Sequence, residues 1–259
     1  MHRSHPKNNT TMTSFESDYN NGAHPEILRH FLETNDQQSA SYGYDQWSES
    51  ARIKIREAIQ CPDANIFFLA GGTQANATVI DAMTASYEGV LAVTTAHINV
   101  HESGAVEAFG HKVITLPHHD GKMDATELHD YLKAYHADPT WEHIVYPGIV
   151  YITFPTELGT VYKAAEIEQI HAICQEYKIP LFIDGARLGY GLMSAECDFN
   201  LPWLAHHCDA FYIGGTKVGA LCGEAVVFPH GNVPRQFFTI IKRHGALLAK
   251  SRVAGVQFD

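Results

Sequence analysis

From residue 64 onward, short apolar runs alternate with segments whose apolar positions recur at helical spacing. The runs at 65–70 (NIFFLA), 90–95 (VLAVTT), 112–117 (KVITLP), 148–154 (GIVYITF), 179–184 (IPLFID), 209–213 (DAFYI) and 224–228 (EAVVF) read as strands. Between them, 73–88, 101–110, 124–136 and 163–177 have the period of helices, and Asp124 with Glu127 marks one helix start. This alternation predicts βαβ units and an α/β fold: a mostly parallel, mixed sheet of about seven strands sandwiched by helices. Before residue 64 there are helical segments at 24–35 and 48–59 but no strand, so 14–63 is expected to pack outside the sheet. A basic helical stretch is expected from 233 to 254, with 64–245 as the main domain. Residues 1–13 read as a disordered tail, with Met12 as an alternative start.

Composition narrows the partners. The formal charge of −11, from 18 basic and 29 acidic residues, argues against nucleic acid or an anionic membrane. No run approaches the ~18 apolar residues of a membrane span, and the first residues lack a signal peptide's apolar core, so a cytoplasmic protein is the default. Cys61, Cys174, Cys197, Cys208 and Cys222 form no CxxC pair and read as reduced thiols.

Three loops at strand ends carry chemistry, which is where ligands bind in open α/β sheets. Gly71, Gly72 and Thr73 separate a strand from a helix; such a turn offers free amides, a positive dipole end and a hydroxyl to an anion. The plainer reading is a glycine-rich turn. Asp184 ends a strand apolar enough to be central, so its carboxylate needs a cation or several donors. Arg187, three residues on, either pairs with it or stays free for an anionic ligand. Lys217, in the stretch YIGGTKVGA, belongs to a residue type seldom buried. In an apolar loop its amine would lose solvation and become a nucleophile, unless it simply reaches out to water. Together, an anion cradle, a buried acid and a reactive lysine match pyridoxal 5′-phosphate, which needs one of each.

With these motifs in place, the chain from about Ser17 onward resembles the threonine aldolase / aromatic amino acid β-eliminating lyase family of fold-type I pyridoxal-phosphate enzymes. ESDYNNGAHPEIL (16–28) resembles the family's Ser-Asp opening, GYDQWSE (43–49) the region after it, and AGGTQAN (70–76) its phosphate loop. TAHINVHESGA (95–105), FIDGARLG (182–189) and GGTKVGA (214–220) resemble its histidine, aspartate and lysine segments. The resemblance implies Gly72, Thr73 and Gln74 on the phosphate, His97 against the ring and Asp184 on the pyridine nitrogen. It implies Lys217 as the cofactor-linked lysine and Ser17 and Arg187 on the substrate carboxylate. The implied reaction is retro-aldol cleavage of a β-hydroxy-α-amino acid of threonine type to glycine and an aldehyde, with Lys217 and His97 catalytic. A homodimer or homotetramer is implied as well.

Two departures keep alternatives open. Phe154, Pro155, Thr156 and Glu157 stand where aldolases tend to carry Glu-Asn-Thr-His, which leaves β-elimination from another amino acid as a rival. The family continues into a smaller C-terminal domain, toward which 246–259 reads as the start of a connection. A shortened remnant with only a binding or structural role is the further rival. His97 and His101, with Glu102, suggest a zinc site, but the glutamate does not follow the first histidine as in H-E-x-x-H, so no metal is expected.

Overall fold

A computed structural model describes residues 14–259; the tail 1–13 and Met12 lie outside the described residues. The strands are β1 (Asn65–Leu69), β2 (Glu88–Val93), β3 (Val113–Leu116), β4 (Tyr146–Thr153), β5 (Leu181–Asp184), β6 (Ala210–Gly214) and β7 (Glu224–Phe228). They form one sheet in the order β1-β7-β6-β5-β4-β2-β3. Neighbours are parallel from β3 to β6, whereas β7 is antiparallel to both β6 and β1. Because β7 is reversed relative to both neighbours, β1 runs the same way as β2 to β6. The carboxyl ends of β1 to β6 therefore lie along one edge, together with the start of β7. That edge holds the site.

Helices α1 (Pro25–Thr34) and α2 (Gln46–Ile59) precede the sheet, and α3 (Gly72–Met83) and α4 (His97–Val100) follow β1 and β2. Next come α5 (Ala125–Ala137), α6 (Ala164–Tyr177), α7 (Leu188–Leu192), α8 (Leu201–His206), α9 (Phe237–Arg243) and α10 (Arg252–Phe258). β4 to β7 are buried almost throughout, as central strands covered on both faces must be. The outer edge of β1 is closed from α2: Arg52 Nε donates to the Ile66 carbonyl at 3.1 Å and Arg56 Nε to the Ala64 carbonyl at 2.9 Å. Unpaired carbonyls of an edge strand are thus satisfied without another strand. α10 seats on α2, where Gly255 lies so close to Ser48 that a Cβ would come within 2.5 Å of its Oγ.

Two helices expected from periodicity are not formed. The stretch 101–110 is a turn with one short 3₁₀ segment, Glu107–Phe109, because Ser103, Gly104 and Gly110 take positive φ angles of 53°, 77° and 97°. The expected helix over 233–254 is broken into α9 and α10, with Gly245 at φ +67° in the break. Among the described residues no helix is long and apolar enough to cross a membrane.

Candidate active site

The site grows from one face of the sheet. Tyr151 of β4 lies beside Phe182 of β5, and Asp184, two residues on, points to the same side. Tyr212 of β6 joins them, and α3 brings Asn76 onto that face. Asp184 is consequently surrounded by donors: Tyr212 Oη and the Ala186 amide (2.9 Å) reach Oδ1, and Tyr151 Oη and Asn76 Nδ2 (2.9 Å) reach Oδ2. Burial, reinforced by the charge of Asp184, pushes both tyrosine hydroxyls well above their ordinary pKa, so they remain donors. Arg187 does not pair with Asp184; its Nε and Nη2 donate to Asp18 instead.

The same Asn76 links the floor to the histidine. Its Nδ2 also donates to Glu102 Oε1 at 2.7 Å, and His97 Nδ1 meets that oxygen at 2.7 Å. The side chain of Glu102 is fully buried, and its Oε2 and Asn76 Oδ1 have no partner among the described residues. The Glu102 hydrogen bond raises the pKa of His97 against the opposing effect of burial. His97 and His101 have ring centroids 5.5 Å apart, and among the described residues no three His, Cys, Asp or Glu gather as a metal site.

Two glycines join the aspartate and lysine loops. A Cβ on Gly185 would lie 1.9 Å from the Tyr212 carbonyl, and one on Gly214 would lie 2.3 Å from that of Ala186. The Gly214 amide donates to the Gly185 carbonyl at 3.0 Å, so the loops after β5 and β6 touch directly. Lys217 follows, half-buried, with Nζ 5.9 Å from the Tyr19 ring centroid. Its loop is anchored by Glu224, which accepts from the Gly215 amide (3.0 Å) and Thr216 Oγ1 (2.8 Å). Burial pushes the Glu224 carboxyl up to about 7, against those hydrogen bonds.

These elements enclose a cavity of about 330 Å³ whose wall includes Gly71, Gly72, Thr73, His97, Asp184 and Lys217. Seven of the sequence-predicted positions are therefore brought to one place or its rim, counting Arg187, which lines an adjoining cavity of about 540 Å³ with Glu157 and Tyr190. Gln74 turns away: its Oε1 accepts from the Ala70 amide at 3.3 Å, bracing the loop from behind. Ser17 does not line the cavity either; its Oγ accepts from the Tyr19 amide, and its neighbours Asp18 and Tyr19 reach the site instead. Asn76, Tyr151, Tyr212 and Glu224 escaped the sequence reading, and Glu102 entered it only beside the histidine pair. A signal existed for the tyrosines, since each stands in an apolar strand and a buried phenol needs a partner.

The residues fit pyridoxal phosphate. α3 opens at Gly71 with no side-chain cap, leaving its first-turn amides toward the cavity end, and a Cβ at Gly72 would crowd Tyr212 Oη at 3.1 Å. A lysine amine, a donor-held carboxylate and a hydroxyl at that helix start supply the three functions such a cofactor requires. The four donors take up the roughly four lone-pair directions of Asp184, and Tyr212 is also on the cavity wall.

A family model described as beta-eliminating lyase matches residues 15–255. The low specificity L-threonine aldolase of Pseudomonas aeruginosa is 34% identical over 242 residues, spanning 92% of this chain and 68% of that protein. A threonine aldolase structure from Leishmania major superposes with a TM-score of 0.89 at 40% identity, over 93% of this chain and 69% of that one. Cystalysin from Treponema denticola, which contains a pyridoxal 5′-phosphate cofactor, has a TM-score of 0.69 at 15% identity, a likeness of fold alone; it covers 91% of this chain and 61% of its own.

Proposed function

The chain belongs to the beta-eliminating lyase family, and from that premise we propose that it is a pyridoxal-phosphate-dependent carbon–carbon lyase. Its substrate is a β-hydroxy-α-amino acid of the threonine type, cleaved to glycine and an aldehyde. The observation that carries this reading is the convergence of Lys217, Asp184, His97 and the Gly71–Thr73 turn on one cavity. Gly72, Thr73 and the first amides of α3 would hold the phosphate, Lys217 the aldehyde carbon and Asp184 the ring nitrogen. Once bound, the cofactor supplies an electron sink for the bond pair at the substrate Cα.

The chain's own side chains do the rest. Arg187 is the guanidinium for the substrate carboxylate, exchanging Asp18 for it. Tyr151 and Tyr212 keep their protons and so hold Asp184 as an acceptor. Glu102 holds the Nδ1 proton of His97, fixing the orientation of the ring at the cavity wall. His97 and Glu157 are the groups placed to move the proton of the β-hydroxyl. We assign the cofactor-binding unit to 64–245, with 14–63 packed against it, and infer a cytoplasmic homodimer or homotetramer, a reading supported by the family resemblance.

The test is product analysis of the full chain given pyridoxal phosphate and L-threonine. Glycine and acetaldehyde in equal amounts are expected. Ammonia and a keto acid would move the reading to β-elimination, and failure to take up the cofactor would leave only a binding or structural role.

A further inference from the structure

Glu157 sits in the turn after β4, and that turn is braced. The Thr156 amide donates to the Thr160 carbonyl at 2.9 Å, the Gly159 amide to the Thr156 carbonyl at 2.8 Å, and the two threonine hydroxyls meet at 2.6 Å. The Glu157 side chain, by contrast, makes no hydrogen bond or ion pair among the described residues. It lines both cavities: the one with His97, Asp184 and Lys217, and the adjoining one with Arg187 and Tyr190. It thus stands at the partition between the cofactor-binding residues and the guanidinium expected to hold the substrate carboxylate. The Cα–Cβ bond to be broken must lie in that same interval.

We propose that Glu157 is a catalytic residue: its carboxylate takes the proton from the substrate β-hydroxyl as the Cα–Cβ bond breaks. This rests on the aldol-cleavage reading above. The O–H pair becomes the second bond of the aldehyde carbonyl, and the Cα–Cβ pair stays with Cα. The one proton taken equals the one glycine needs at Cα, so the carboxyl ends the cycle as it began. His97 has one ring nitrogen left for the task, because its Nδ1 is committed to the buried Glu102 carboxylate, whereas both Glu157 oxygens are without a partner among the described residues. Burial raises Glu157 above the usual carboxylate range, against the pull of His97, Arg187 and Lys217. A carboxylate with raised proton affinity on a fixed turn is suited to general-base work.

Glu157→Gln keeps the shape and removes the acceptor, whereas Glu157→His restores a proton acceptor. In the full chain loaded with pyridoxal phosphate, Glu157→Gln should lower kcat about 100-fold, the lower range for a lost general base. KM should move less than about threefold. Cofactor uptake and its visible absorbance should match the wild type, and Glu157→His should recover part of kcat. The wild-type kcat should rise with pH as Glu157 loses its proton, and this acidic limb should vanish in Glu157→Gln. The other charges facing Glu157, namely His97, Asp184, Arg187 and Lys217, with His101 and Glu224 on the same wall, are unchanged in that variant. In the cofactor-free chain, the His97 imidazole followed by NMR should titrate lower in Glu157→Gln, because the Glu157 charge supports its protonated form. Wild-type kcat with an intact acidic limb in Glu157→Gln, or loss of kcat together with cofactor uptake, overturns the assignment while leaving the lyase reading in place. A wild-type chain that takes up cofactor but makes no glycine overturns both.

Discussion

At the floor of the cavity Asp184 is buried and held by four donors from β4, β6, α3 and its own loop. At the rim Arg187 and Asp18 pair with side chains 31% and 33% exposed, and the partner comes from 169 residues away in the chain. Floor residues are placed by strand register, in a medium where an unmade hydrogen bond costs ~1–3 kcal/mol, so one arrangement dominates. A rim pair in contact with water contributes only ~0–1 kcal/mol and can be exchanged for a ligand. The floor therefore sets which chemistry the site performs. The rim sets which molecule enters.

The largest effect on that contrast should come from Lys217, which joins the two regions. Lys217→Ala is expected to remove the visible absorbance of the loaded protein and to lower turnover by more than about 10³-fold; near-normal turnover would sink its assignment. Glu224 tests the floor through pH. Its carboxyl is raised by burial from 4.5 to about 7, so the folded state binds this proton more tightly than the unfolded chain does. The resulting stability is fully present below about 4.5 and is lost as pH rises toward about 7. Denaturant midpoints across this window should fall more steeply in the wild type than in Glu224→Gln; parallel curves would refute the account. The smallest effect belongs to the rim. Asp18→Asn frees Arg187, and KM for threonine should drop by about two- to fivefold at unchanged kcat, the scale of an exposed ion pair. A higher KM would mean that Asp18 assists binding instead of competing with it.

Much of the floor was legible because a few residues sit in apolar company where their type is costly. Asp184 at the end of IPLFID and Lys217 in YIGGTKVGA both stand out this way, and the Gly71–Thr73 turn follows from its place between strand and helix. The partners of Asp184 were not legible as partners. Tyr151 and Tyr212 look like ordinary strand aromatics until β4, β5 and β6 are laid side by side. Asn76 looks like any polar residue of an amphipathic helix. Gln74 and Ser17 are expected on the ligand by likeness; in the structure a side-chain oxygen of each accepts from a nearby backbone amide. The helix expected at 101–110 and not formed has the same origin, since positive φ angles at Ser103 and Gly104 override a favourable period.

The sequence by itself determined the alternation of strands and helices, the α/β class and the order of the cradle, aspartate and lysine along the chain. These depend on periodicity and on the local cost of burying polar groups, which are properties of neighbouring residues. Only the tertiary structure decided that β7 runs against its neighbours, so that β1 runs with β2 to β6 and six carboxyl ends share one edge. It alone decided that Asp18 holds Arg187, that Glu102 holds His97, and that Glu157 faces both cavities. The physical reason is distance along the chain. Hydrogen bonds and charge pairs act over a few ångströms, and what stands within that range of a side chain is settled by packing rather than by sequence separation.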